Sequence, residues 1–215
     1  SEWATYRWRP LTDSSQVPGL VDSNGFMHRG VKEVARSATA DEVYRELCQQ
    51  IETAINWGVT PTHVDTHMGT VFATLEFAQA YLRAAREYNL VPMLIEPSPM
   101  VLETLRSSGY PEALVDLLKA APVPKLDALL SAPAQDTYER KKAAIFAQLA
   151  NLPEGVSYYI IHPNINTEEM PTVTDSWQQR HWEYQIFMEQ ETRDRIAELG
   201  IEVITWSQLV KAAQE

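Results

Sequence analysis

The chain has 215 residues, 45% of them apolar, which is enough to bury the core of one domain, with or without an insertion. A formal charge of -11 argues against a nucleic-acid partner, because phosphate binding runs on Lys and Arg neutralisation. No apolar run approaches the roughly 18 residues of a membrane span and no segment resembles a signal peptide, so the expectation is a soluble, cytoplasmic protein that does not engage a membrane.

Residues 1–40 carry Trp3, Tyr6, Trp8, Pro10, Pro18, Gly19, Gly25 and Gly30 with little periodicity, and read as a loop with a short turn or helix late in it. Trp3 and Trp8 are candidates for stacking on sugar rings, against the plainer reading of a loop packed on its own domain. His28 reads as structural. Thr39 followed by Glu42 forms a capping box for a helix from about 41 to 57, with Val43, Leu47, Ile51, Ala54 and Ile55 on one face. The single cysteine, Cys48, excludes an internal disulfide and packs in that helix as a small hydrophobe.

Gly58 ends the helix, and Pro61 biases Thr60 to an extended backbone. The stretch Pro-Thr-His-Val-Asp-Thr-His then predicts a strand that puts His63, Asp65 and His67 on one face. A helical zinc-protease pair would need Glu after the first histidine, where this chain has Val64. Neutral imidazoles with a carboxylate suit Zn2+ or, with more oxygen ligands, Mg2+. The plainer reading is a set of hydrogen-bonded polar residues at a strand mouth.

A second helix is expected over 71–88, stopped by Asn89, then a buried strand over 90–95 that delivers Glu96. Residues 102–118 read as helix broken at Ser107-Ser108-Gly109-Tyr110-Pro111, followed by a proline-marked segment over 121–133 without a regular strand. This stretch, about 100–133, reads as a helical excursion in a single 1–215 domain, with Asp127 a surface charge. A third helix over 134–149 leads to a strand over 156–161 that delivers His162-Pro163-Asn164, where His162 could protonate a leaving amine or stabilise an oxyanion. A polar loop containing Asp175 and a solvated His181 precedes a last helix over 189–199, a strand over 201–205 and Trp206.

Four rounds of helix, strand and polar strand end are the order of a parallel α/β sheet or barrel, whose sites gather at the carboxyl ends of strands. Four strands are too few to close a barrel of about eight. The chain also opens on Ser-Glu-Trp without an initiator Met, so the expectation is a longer parent with further βα units before Ser1.

The motifs Pro-Thr-His63-Val-Asp65-Thr-His67 and Ile-His162-Pro163, with the closing run from Ile196 to Leu209, resemble those of the YdjC-like carbohydrate deacetylases. The resemblance runs over nearly the whole chain and is weakest in the helical middle. It implies a (β/α) barrel-like fold and removal of N-acetyl groups from an amino sugar or oligosaccharide by water attack on the amide carbonyl, with a divalent ion (Mg or Zn). Carried over singly, His67 is a metal ligand, His63 and Asp65 are its neighbours and His162 acts near the reacting group; read from the residues themselves, His63, Asp65 and His162 are the catalytic candidates and Glu96, Trp3 and Trp8 the candidates for sugar contact. The family's amino-terminal Asp-Asp pair and second ligand histidine are absent here, so either the parent is longer or this form is inactive. Two alternatives stand beside this reading: a noncatalytic carbohydrate-binding or assembly module, and a metal-dependent hydrolase of another bond. Association of identical subunits stays open.

Overall fold

In a computed structural model, residues 3–107 and 110–212 are described. The capping box is present: Glu42 donates its main-chain N–H to the Thr39 hydroxyl, while its carboxylate accepts the Thr39 N–H at 2.7 Å. It starts α2, Ala40–Asn56, after a shorter α1 at Val31–Ser37. Glu42 and Glu46 lie on the buried side of α2, where bare carboxylates would be costly, and each is satisfied by backbone donors of the preceding loop. Glu42 accepts from Gly19 at 2.6 Å; Glu46 accepts from Leu11 at 3.1 Å and Thr12 at 2.9 Å. A side chain at Gly19 would run into the Ser37 carbonyl and the Glu42 carboxylate, so this approach requires glycine.

The chain groups into two units, Ser1–Lys125 with Trp206–Glu215, and Leu126–Thr205. In the first, β1 (His63–Val64) pairs in parallel with β2 (Val91–Pro92), joined through a 3-10 run over His67–Phe72 and α3, Leu75–Glu87. α3 begins later than the sequence suggests: Thr74 caps it by accepting the Phe77 N–H, and residues 67–72 are spent on the 3-10 run instead. Asn89, at φ 55, ends it as expected. Tyr81, Leu94, Leu114 and Leu118 make one core, and Val17, Leu20, Val34 and Phe77 another. α4 (Pro99–Ser107) and α5 (Glu112–Ala120) follow, with Ser108 and Gly109 of the expected break outside the described residues. α10, Trp206–Ala212, returns to this unit.

In the second unit, β3 (Ala128–Ser131) pairs in parallel with β4 (Ser157–Ile160) around α6, Tyr138–Ala150. β3 is a correction, since no strand was expected over 121–133. Asp127 fastens its start: the Asp127 N–H bonds the Val156 carbonyl at 2.8 Å, and its carboxylate accepts the Val156 N–H at 2.7 Å. The remaining elements are α7 (Met170–Val173), α8 (Trp177–Met188) and α9 (Gln190–Glu198). α8 replaces the polar loop the sequence suggested, because its inward residues are partly charged and hide the apolar period. Ile145, Leu149 and Ile186 form the core.

The strand expected over 201–205 does not form. Those residues have no regular structure, and Val203 is 77% exposed. The α/β class and parallel pairing therefore hold, but the described strands make two separate two-stranded sheets, and barrel closure is not seen among the described residues. Among them, no helix is long and apolar enough to cross a membrane.

Candidate active site

The strand end after β1 is set by Tyr81. Its buried hydroxyl donates to the Val64 carbonyl at 2.6 Å and accepts the Met93 N–H at 2.9 Å, while the same N–H reaches Val64 O at 2.9 Å. Burial pushes the phenol's pKa well up, which keeps it a donor. Beyond Val64 the chain stays extended only through Thr66, at φ -117 and ψ 118. His67 then opens the 3-10 run, and Met68 (φ 55) and Gly69 (φ 68) both take left-handed conformations. The strict two-residue alternation expected for His63, Asp65 and His67 thus breaks at His67.

The consequence is a division of the three groups. His63 stacks on Trp206, with ring centroids 4.3 Å apart and planes 13° from parallel, and its Nδ1 lies 3.0 Å from the Thr62 hydroxyl. Burial lowers the His63 pKa, with the Asp65 charge pulling it the other way. His63 and Asp65 line a small cavity of about 190 Å3. Asp65 and His67, in contrast, share the wall of a larger cavity of about 560 Å3. The Asp65 carboxylate accepts the Thr66 N–H at 2.5 Å, and the Thr70 hydroxyl donates to the His67 carbonyl at 2.9 Å.

The larger cavity has an apolar floor that includes Val34, Val43, Leu47 and Val71, with Trp3 and Trp8 from the amino-terminal loop on its rim. Trp8 is 59% exposed, so an aromatic face is open to a ligand. His28 and Glu46 also line it, and sequence reading missed both. His28 stands in a turn with no periodicity to place it. Glu46 left a trace, a carboxylate four residues after Glu42 on the apolar stripe of α2. Glu96 is half-exposed after β2, with its carboxylate 3.8 Å from Lys125 Nζ, and is not part of this wall.

His162 belongs to the second unit, exposed just past β4. Its N–H donates to Glu183 Oε2 at 2.6 Å, and Glu183 Oε1 lies 2.9 Å from Lys141 Nζ. His181 is half-buried rather than solvated: its Nδ1 is 3.3 Å from the Asn164 carbonyl, and its ring stacks on Tyr184 with centroids 6.2 Å apart. α8 turns it inward, which a loop reading could not anticipate. Lys141 and Glu183 were also missed.

Among the described residues, no group of three or more His, Cys, Asp and Glu side chains could hold a metal ion. His28, Glu46, Asp65 and His67 all line this cavity, but no three of them are grouped so as to hold an ion, whereas Zn2+ takes about four ligands and Mg2+ about six. These residues alone do not make a metal site.

Comparison with known proteins gives a consistent assignment. A family model described as YdjC-like protein matches residues 3–198. A carbohydrate deacetylase of Thermus thermophilus is 32% identical over 96% of this chain and 73% of its own length. One from Thermoanaerobacter pseudethanolicus is 25% identical over 93% of this chain and 72% of its own. Among solved structures, an Enterococcus faecalis protein described as a candidate cellobiose-phosphate cleavage protein superposes with a TM-score of 0.72. It covers 94% of this chain and 73% of that one at 22% identity, a likeness of fold. With the match to its model running over most of its length, the chain belongs to the YdjC-like family.

Proposed function

We propose that this chain is a carbohydrate deacetylase that removes N-acetyl groups from an amino sugar or oligosaccharide by attack of water on the amide carbonyl. The observation that carries the proposal is the 32% identity, over 96% of the chain, to a carbohydrate deacetylase. The cavity agrees with it: aromatic rims suit sugar faces, and the neighbouring polar groups Asp65 and His67 suit proton transfer or metal ligation. In this reading Trp3 and Trp8 hold the sugar, and Asp65, which lines both cavities, handles protons together with His63 of the smaller one. His162 assists the departing amine or the tetrahedral intermediate.

The same proposal includes a divalent ion, Mg or Zn, with His67 as one ligand and the rest supplied by groups beyond Asp65 and His67. Such an ion would polarise the carbonyl and acidify water. The test is acetate release from N-acetylglucosamine oligomers, with metal content measured by mass spectrometry. His67→Ala is expected to abolish release and reduce bound metal; release at the wild-type rate refutes the assignment. The exposure of Trp8 on the cavity rim favours one second reading, a noncatalytic carbohydrate-binding module. It predicts sugar binding indifferent to chelators and no acetate.

A further inference from the structure

The His162 segment has no regular secondary structure, yet its main chain is held at closely spaced points by residues of α8. Arg180 O accepts the Asn164 N–H at 3.2 Å, His181 Nδ1 lies 3.3 Å from Asn164 O, and Glu183 Oε2 accepts the His162 N–H at 2.6 Å. Behind this contact lies a buried ion pair. Lys141 is 1% and Glu183 4% exposed, with Nζ and Oε1 2.9 Å apart. Lys141 Nζ also donates to Pro133 O at 3.0 Å and to Gln179 Oε1 at 3.1 Å.

An ammonium has three N–H donors, and these three acceptors use all of them. Glu183 likewise has one oxygen on the cation and the other on the backbone N–H. Neither group can rotate without breaking a charge-assisted bond, so the carboxylate fixes the place of the His162 amide. Stability alone is a poor reason for such a pair, since an apolar pair of similar volume is often as stable.

We propose that the buried Lys141–Glu183 pair is a positioning device for His162: Glu183 holds the His162 main chain where the imidazole can act, and Lys141 keeps that carboxylate aimed. The proposal rests on the deacetylase reading, in which His162 serves amide hydrolysis.

Two double variants of the full chain separate the anchor from the charge. Lys141→Met with Glu183→Gln removes the ion pair but keeps an oxygen for the His162 N–H. Lys141→Met with Glu183→Leu removes both. If the Leu variant does not fold, Glu183→Met replaces it in the same comparison. Readouts are kcat and KM for acetate release and the hydrogen-exchange rate of the His162 amide by NMR.

In the Leu variant, kcat is expected to fall about 10²-fold with KM little changed, as for a small misplacement of a reacting group, and the His162 amide to exchange faster. The Gln variant restores most of both. Equal kcat in the two variants, or equal His162 exchange, overturns the proposal. A wild-type chain that releases no acetate refutes the deacetylase reading instead; the anchor then stands if exchange quickens in the Leu variant alone, and falls if it does not.

Discussion

Two strand ends carry the candidate chemistry, and they are fastened differently. After β1, a neutral phenol, Tyr81, makes two hydrogen bonds, to the Val64 carbonyl and from the Met93 N–H, beside the main-chain bond that joins Met93 to Val64. After β4, a buried carboxylate backed by a buried ammonium holds His162. A neutral clamp can be removed at the cost of its own bonds. Half of a buried ion pair cannot be removed without stranding the other charge, so the second strand end is far less tolerant of single substitutions.

The largest expected effect tests that intolerance. Lys141→Met alone leaves Glu183 buried without its cation and should cost about 3–5 kcal/mol in denaturant titration; a loss under about 1 kcal/mol would show that the pair is not sequestered from water. A middle-sized effect sharpens the contrast. Tyr81→Phe should cost about 1–2 kcal/mol, with faster amide exchange at Met93. A loss as large as that at Lys141 would erase the distinction between the two clamps.

The smallest effect concerns pH at the β1 end. Burial holds the His63 pKa below the ordinary 6.5, with Asp65 opposing. The unfolded chain therefore takes up its proton first as pH falls. Stability should drop from 6.5 down to the native value and level off below it. His63→Gln should flatten that part of the stability curve; an unchanged slope would remove His63 from the account.

Much of this was legible in the sequence. The capping box, the stops at Gly58 and Asn89, and the two histidine-bearing strand ends follow from local rules that depend on few neighbours. What was not legible depended on distant partners. β3 was hidden because its pairing comes from β4, far along the chain, and because prolines crowd its approach. The strand over 201–205 had the right composition, but among the described residues it joins neither sheet. α8 was hidden because Gln179 and Glu183 face inward to meet Lys141, spoiling the apolar stripe that marks a helix. At the candidate site, the division of His63 from His67 turned on two left-handed residues, one of them a methionine, which no pattern of polarity announces.

The stack of Trp206 on His63 gives the first unit an order of assembly in time. Trp206 follows Leu126–Thr205, a continuous stretch that forms its own unit. As the chain emerges from the ribosome, that whole unit is made before the ring that covers His63. A nascent chain stalled before Trp206 would therefore present His63 with its stacking face open until α10 is synthesised.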